Sequence, residues 1–208
     1  MSEKQVPLVV IKRLPRYHRY LGELLKNNIT RISSTELSEK MGVTASQIRQ
    51  DLNFFGGFGQ QGYGYNVSML YERITSILGM DKGYKTIIIG AGNLGHALAN
   101  YAGFASRGFK LIGMFDTDSK KIGQQIAGIM VRHNDELEKF ISDEKPDIAI
   151  LAVPKSSVNK IADDIVSYGI KAIWNFAYVD LNLPGDVIVE NVHLSDSIMT
   201  LSYRMTQN

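Results

Sequence analysis

Residues 85–95 read Lys-Thr-Ile-Ile-Ile-Gly-Ala-Gly-Asn-Leu-Gly, an aliphatic run passing without a break into Gly-x-Gly-x-x-Gly. The glycine spacing alone is a weak signal; a strand before it and a helix after it make it a nucleotide-binding fingerprint. A buried strand at 85–89 and a helix running to about Arg107 supply both flanks. In this reading Gly90 makes the tight turn, Gly92 lets a pyrophosphate approach the backbone, and Gly95 lets helix pack on strand. Ala91, Asn93 and Leu94 complete the loop, and the helix N-terminus offers free N–H groups and a positive dipole to phosphates. A second strand, 110–115, ends in Asp116, 21 residues after Gly95. A carboxylate there accepts both ribose hydroxyls and repels a 2′-phosphate, which favours NAD(H) over NADP(H). The competing reading is a plain glycine turn beside a solvent-facing aspartate.

The rest of the rear two thirds alternates strand and helix. Strands are expected at 147–153, 172–175 and 187–189, with a helix at about 156–168 stopped by Gly169. This alternation predicts an α/β fold with a Rossmann-like, doubly wound parallel sheet. Val153-Pro154 closes a strand where such a sheet places ligand-contacting loops, and Asn175-Phe176-Ala177 follows another and could face a nicotinamide ring. Buried strand-end packing explains both equally well. The last helix, about 194–205, has Leu194, Ile198, Leu201 and Met205 on one face, with Met199 and Tyr203 nearby. So much apolar surface on a terminal helix predicts docking on a partner subunit.

The chain has 208 residues, room for one large domain or two small ones. Its net charge of +2 conceals an asymmetry, because residues 1–80 balance at +4 and residues 81–208 at −2. Within the first 31 residues seven basic side chains face only Glu3 and Glu23. A basic front suits an anionic partner, although a solvated basic face fits the charge alone.

That front third reads as three helices, a glycine loop and a fourth helix. Pro15 suits a first helical turn, and Tyr17, Tyr20, Leu21, Leu24 and Leu25 follow as an amphipathic stripe. Ser33 with Glu36 forms a capping box opening a short helix through Met41, stopped by Gly42; Thr44 with Gln47 forms a second box. Two helices joined across Gly42-Val43-Thr44-Ala45 are the signature of a helix-turn-helix. In the later helix Ile48, Leu52 and Phe55 must pack inward, leaving Ser46, Arg49, Gln50 and Asn53 on the other face. Arg pairs with guanine, Gln and Asn with adenine, and Ser with phosphate or base, so this face suits DNA reading. Asp51 is an unfavourable charge near phosphate unless it orients a neighbouring Arg or Lys. Five glycines in positions 56–64, interleaved with aromatics, then predict a hairpin, which after a helix-turn-helix is a wing. A helix at about 68–78 and a linker at 79–84 end this part. The resulting division is 1–80, a winged-helix DNA-binding domain; 81–193, a Rossmann NAD(H)-binding domain; and 194–208, a dimerisation helix.

With no cysteine, the chain holds no disulfide, thiolate–metal site or thiol nucleophile. No apolar run approaches a membrane span, and the N-terminus lacks a signal peptide's apolar core, so a cytoplasmic location is expected. His18, His96, His133 and His193 show no catalytic spacing, and no metal motif or nucleophile elbow appears; no catalytic and no metal-binding residues are assigned.

Taken together, IRQDLNFFGGFGQQGYGYNV (48–67), IIIGAGNLGHALANY (87–101), FDTDSKKIG (115–123), AVP (152–154), NFA (175–177) and ENVHLS (190–195) resemble the Rex family of redox-sensing transcriptional repressors, over nearly the whole chain. The resemblance implies a homodimer whose winged helices bind an inverted-repeat operator and whose Rossmann domains sense the ratio of NADH to NAD⁺. NADH binding closes such a dimer, moves the winged helices out of register and releases DNA, and the C-terminal helix is exchanged between subunits. Carried over by motif, Gly90, Gly92, Asn93, Leu94 and Gly95 hold pyrophosphate and Asp116 the adenosine ribose. Tyr101, Pro154 and Phe176 lie toward the nicotinamide, with Val153 beside them. Arg49 reads the major groove with Ser46, Gln47 and Gln50; Arg13 and Arg16 belong to the basic flank, and Gln60, Gln61 and Tyr63 to the wing.

Three departures stand out. The family usually carries Asp where this chain has His193, and that Asp pairs with an N-terminal arginine matching Arg19 as part of the switch. A neutral imidazole cannot form that salt bridge and a protonated one repels Arg19, which makes the contact pH-sensitive. Position 50, often basic, is Gln50, and the wing tip Gln60-Gln61 lacks the usual cation. Both changes remove phosphate contacts and lower the salt dependence of DNA binding. Two other functions remain open on the residues alone: an NAD-dependent oxidoreductase or CoA-binding enzyme with a fused regulatory head, and a winged-helix protein whose Rossmann domain only dimerises.

Overall fold

The structure, a computed structural model, describes residues 6–56, the backbone of 59–60, and residues 63–207. The chain divides into two compact units, Met1–Asp81 and Lys82–Asn208.

In the first unit a short helix, α1 (Leu8–Ile11), precedes α2 (Leu14–Lys26), β1 (Arg31–Ile32), α3 (Ser34–Met41) and α4 (Ala45–Asn53); β2 (Gly59–Gln60), β3 (Gly64–Asn66) and α5 (Val67–Ile77) follow. Pro15 lies in the first turn of α2, where its missing N–H costs nothing. The stripe of α2 packs as its spacing predicts, with Tyr17, Leu21 and Leu24 buried against Leu37, Met41, Ile48, Leu52, Leu70 and Ile74. The box at Ser33 is complete: its hydroxyl accepts from the Glu36 N–H at 3.1 Å, and Glu36 accepts from the Ser33 N–H at 2.7 Å. Gly42, at φ +60°, ends α3 in the left-handed region. The second box is only half formed. Thr44 accepts from the Gln47 N–H at 3.1 Å, but the Gln47 amide turns away to Asp51.

The wing is a hairpin, β2 antiparallel to β3, and β1 extends it to three strands in the order β1-β3-β2. Gly64 is required there, because at φ +69° a Cβ would stand 2.6 Å from the Ile32 carbonyl oxygen. Asn66 caps α5 by accepting the Met69 N–H at 3.0 Å, which starts that helix one residue earlier than its pattern predicts.

The second unit is the expected α/β layer. Its described strands are β4 (Tyr84–Ile89), β5 (Phe109–Asp116), β6 (Gln125–Ile126), β7 (Ile129–His133), β8 (Ile148–Leu151), β9 (Ala172–Asn175) and β10 (Ile188–Asn191). They form one sheet in the order β10-β9-β8-β4-β5-β7-β6, parallel except for the β6–β7 pair. The described helices are α6 (Asn93–Ala99), α7 (Leu137–Glu144), α8 (Lys155–Ser167) and α9 (Leu194–Met205). Alternation along β4 sends Ile87 and Ile89 toward α7 and α8, and Ile88 to the opposite face with Met114 and Ile150. The order reverses at β4, whose neighbours are β5 and β8, and that opens a crevice at their carboxyl ends.

The helix after the glycine loop is shorter than expected and ends at Ala99, not near Arg107. Tyr101 and Phe104 leave the helical path to pack edge-on, 4.9 Å apart, and Phe104 meets Trp174 at 5.5 Å. A 3₁₀ turn, Ala105–Arg107, closes the detour. Strands β6 and β7 and helix α7 were not anticipated. Strands β6 and β7 meet at a two-residue turn in which Ala127 and Gly128 both adopt positive φ. Among the described residues, no helix is long and apolar enough to cross a membrane.

Candidate nucleotide cleft and nucleic-acid interface

The three glycines of the fingerprint differ physically. Gly90 adopts φ +104°, and a Cβ on it would stand 2.3 Å from the Ala152 carbonyl oxygen. A Cβ on Gly95 would stand 1.8 Å from the Gly90 oxygen, so α6 sits directly on the turn. The fold therefore demands both. Gly92 is different: its φ of −77° suits any residue, and a Cβ would meet nothing within 4 Å among the described residues. The chain's own packing gives no reason for glycine there. Backbone left bare toward a cleft is the surface a pyrophosphate approaches.

Gly90, Gly92, Asp116, Val153 and Pro154 line one cavity of about 380 Å³, together with Lys121 and Asn134, which the sequence reading did not single out. Asp116 is 9% exposed and closes the turn through three hydrogen bonds. Its Oδ2 accepts from the Ala91 N–H at 2.7 Å and from Lys121 Nζ at 3.0 Å, while Oδ1 accepts from the Asp118 N–H at 2.8 Å. Burial opposes the charged form, but these donors and the nearby ammonium outweigh it and hold the carboxyl below its ordinary range. The result is an ionised carboxylate at the wall of the cavity. Lys121 had one sequence signal, a cation five residues beyond the carboxylate in the same loop.

Asn93 is exposed and Leu94 half-buried at the start of α6. Tyr101 and Phe176 end one aromatic run, Tyr101–Phe104–Trp174–Phe176, with the last pair 4.7 Å apart. Asn175 takes the strand-end packing role. It is fully buried, donates to the Val179 carbonyl and Asn191 Oδ1, each at 2.8 Å, and accepts the Ala177 N–H at 3.0 Å.

In the first unit Ser46, Arg49, Gln50 and Asn53 are exposed on α4, opposite the buried Ile48 and Leu52. Arg49 Nη1 donates to Ser34 Oγ at 2.9 Å, which holds the guanidinium beside α3. Arg13, expected in the basic flank, turns its guanidinium toward α4. Its Nε and Nη2 each donate to Asp51 at 2.7 Å, and Asp51 also accepts from the Tyr17 hydroxyl at 2.9 Å and the Gln47 amide at 2.9 Å. Burial works against the Asp51 charge; Arg13, Gln47 and Tyr17 overcome it and hold the carboxyl below its usual range. The same burial pushes the Tyr17 hydroxyl upward. Asp51 thus orients an arginine, and Arg13 and Gln47 brace α4.

Arg16 and Arg19 are exposed, and their guanidinium carbons lie 5.9 and 5.7 Å from the Tyr20 ring. On the wing, Tyr63 is exposed beneath Arg31, which donates to the Tyr63 carbonyl at 3.2 Å. Arg31 is a wing cation that the reading of the hairpin alone missed, because strand pairing brings it from 32 residues away. Gln61 and the side chain of Gln60 lie outside the described residues. His193 Nε2 stands 3.3 Å from Asp180 Oδ1, its ring meets Tyr178 edge-on at 5.1 Å, and its buried Nδ1 has no partner among the described residues.

Comparisons with known proteins follow this division. A CoA binding domain family matches residues 81–179, and a putative DNA-binding protein N-terminus family matches residues 5–53. A redox-sensing transcriptional repressor Rex from Thermoanaerobacter pseudethanolicus is 61% identical over 208 residues, covering 100% of this chain and 93% of the relative. Another from Clostridium botulinum strain Alaska E43 is 56% identical, covering 99% of this chain and 98% of the relative. Among solved structures, RSP in complex with β-NAD⁺ and operator DNA aligns with a TM-score of 0.93 at 61% identity, over 97% of this chain and 93% of that one. RSP in complex with β-NADH aligns at 0.91 with 58% identity, over 98% and 96%.

Proposed function

The chain belongs to the Rex family of redox-sensing transcriptional repressors, and on that premise we propose that it represses transcription by binding operator DNA and is released when NADH binds. One observation carries the reading: a nucleotide cleft whose Gly92 is bare for no reason of packing shares a chain with an exposed Ser46–Arg49–Gln50–Asn53 helix face. Its support is the near-full-length likeness to RSP, a protein seen with NADH and with NAD⁺ plus operator DNA.

In this proposal Gly90 to Gly95 hold the pyrophosphate, Asp116 the adenosine ribose, and Tyr101, Val153, Pro154 and Phe176 flank the nicotinamide half. The ligand is sensed rather than turned over; the relatives are repressors. Arg49 reads a base edge with Ser46 and Gln50, Arg13 and Gln47 hold that helix in place, and Arg16, Arg31 and Tyr63 contact the backbone. The active species is a cytoplasmic homodimer joined through α9, whose Leu194, Ile198, Leu201 and Met205 are 55–70% exposed. The sheet face over β8 to β10 offers a second apolar surface, a cavity of about 350 Å³ lined by Ile148, Ile150, Trp174 and Ile188.

A two-fold dimer reads an inverted repeat only while its recognition helices stay about one helical turn, or a multiple, apart. A ligand weakens DNA binding only as far as it prefers the dimer that breaks this spacing, and about 1–3 kcal/mol of coupling gives roughly 5–150-fold. A mobility-shift titration tests this directly. NADH is expected to weaken operator binding far more than NAD⁺ does, and equal effects of the two would refute the sensor reading.

A further inference from the structure

The Asp116 carboxylate is crowded. Oδ2 already accepts from Ala91 and Lys121, and Oδ1 from Asp118. A carboxylate offers about four acceptor positions, so a single one remains, on Oδ1. A ribose presents two adjacent hydroxyls, and this carboxylate takes one of them.

Lys121 has the complementary capacity. An ammonium carries three donors, and one of them goes to Asp116 at 3.0 Å. The other carboxylate within reach, Asp118, lies at 3.9 Å, an ion-pair distance too long for a hydrogen bond. Lys121 lines the same cavity as Asp116, Gly90 and Gly92, so its remaining donors stand at the wall where the ribose edge must rest.

We infer that Lys121 is a second ribose-binding residue and sets how strictly the cleft rejects a 2′-phosphate. One ribose hydroxyl donates to Asp116 Oδ1, and the other accepts from Lys121 Nζ. This deepens the dinucleotide reading above and rests on it. Asp116 alone repels a phosphate, and the lysine cancels part of that field at close range, where salt screens it little. Asp118, 43% exposed by side chain, opposes the lysine weakly from solvent. The cleft therefore discriminates between NADH and NADPH less sharply than a lone carboxylate does.

Calorimetric titration of the full chain tests this, with NADH added directly and NADPH added in competition, for wild type, Lys121→Met and Lys121→Arg. Thermal melting without ligand checks each fold, and Lys121→Ala repeats the comparison should the methionine chain melt early. The methionine variant is expected to lose roughly tenfold in NADH affinity, the worth of one charge-assisted hydrogen bond. It should lose more for NADPH, and arginine should restore both. Unchanged NADH affinity in the methionine variant overturns the inference. So does an NADPH loss no larger than the NADH loss, or a wild type that rejects NADPH outright. A wild type that binds no NADH defeats the dinucleotide reading itself, a separate outcome.

Discussion

Asp51 shows how much one buried side chain can organise. It is fully buried on α4 and takes four hydrogen bonds from Arg13, Tyr17 and Gln47. Removing one partner of a buried pair strands the other, at a cost of about 3–5 kcal/mol; Arg13 is a quarter exposed, so the lower end applies. Asp51→Ala is expected to destabilise the first unit by about 3 kcal/mol in urea unfolding and to weaken operator binding without touching NADH affinity. The pH dependence has a definite sign. Asp51 and Asp116 both have folded pKa values below their unfolded ones. Their contribution to stability is complete above the unfolded value near about 4 and is lost as pH falls through the lowered folded values. Acid unfolding monitored for wild type and Asp51→Asn should show the variant's transition flattened in that window.

Substitutions in the glycine turn and in α4 separate stability from binding. Gly90→Ala meets both a positive φ and a carbonyl 2.3 Å away, so it should cost more than about 2 kcal/mol in stability. Gly92→Ala should melt like wild type and yet lose NADH binding by calorimetry; retained binding would overturn its assigned role. Arg49→Ala should cost about 1–3 kcal/mol of operator affinity and relax preference at one base pair, whereas Arg16→Ala should weaken all sequences alike and lower the salt slope by about 1. Both are measured by operator titration across salt concentrations.

What could be read from sequence at this scale was local. The Ser33–Glu36 box, the Gly42 stop, the strand–glycine–helix fingerprint and α9 are set by residues a few positions apart, and the structure forms each of them. What escaped depends on partners distant in the chain. The Arg13–Asp51 pair spans 38 residues, and Arg31 reaches the wing only through β1–β3 pairing. Beyond the early end of α6, Phe104 packs on Trp174, a partner 70 residues further along the chain. Asp116 stood out in the cleft, but the lysine saturating one of its oxygens did not, since loop geometry decides which of two adjacent lysines turns inward.

For the whole molecule the exposed face of α9 is decisive. Replacing Ile198 and Leu201 by Glu alters only exposed positions, so the circular dichroism should stay as in wild type. In the homodimer proposed above the pair should shift sedimentation to the monomer and lower operator affinity at least tenfold, because each half-site then binds alone. A dimer that survives both substitutions would place the interface elsewhere.

Trp174, wedged between Phe104 and Phe176, is the sole tryptophan in the sequence. All indole emission therefore arises from one spot on the second unit's sheet. A change in the polarity around the Tyr101-to-Phe176 run alters that light, and the first unit contributes nothing to it. The protein carries its own optical gauge of events at the strand ends, readable without any label.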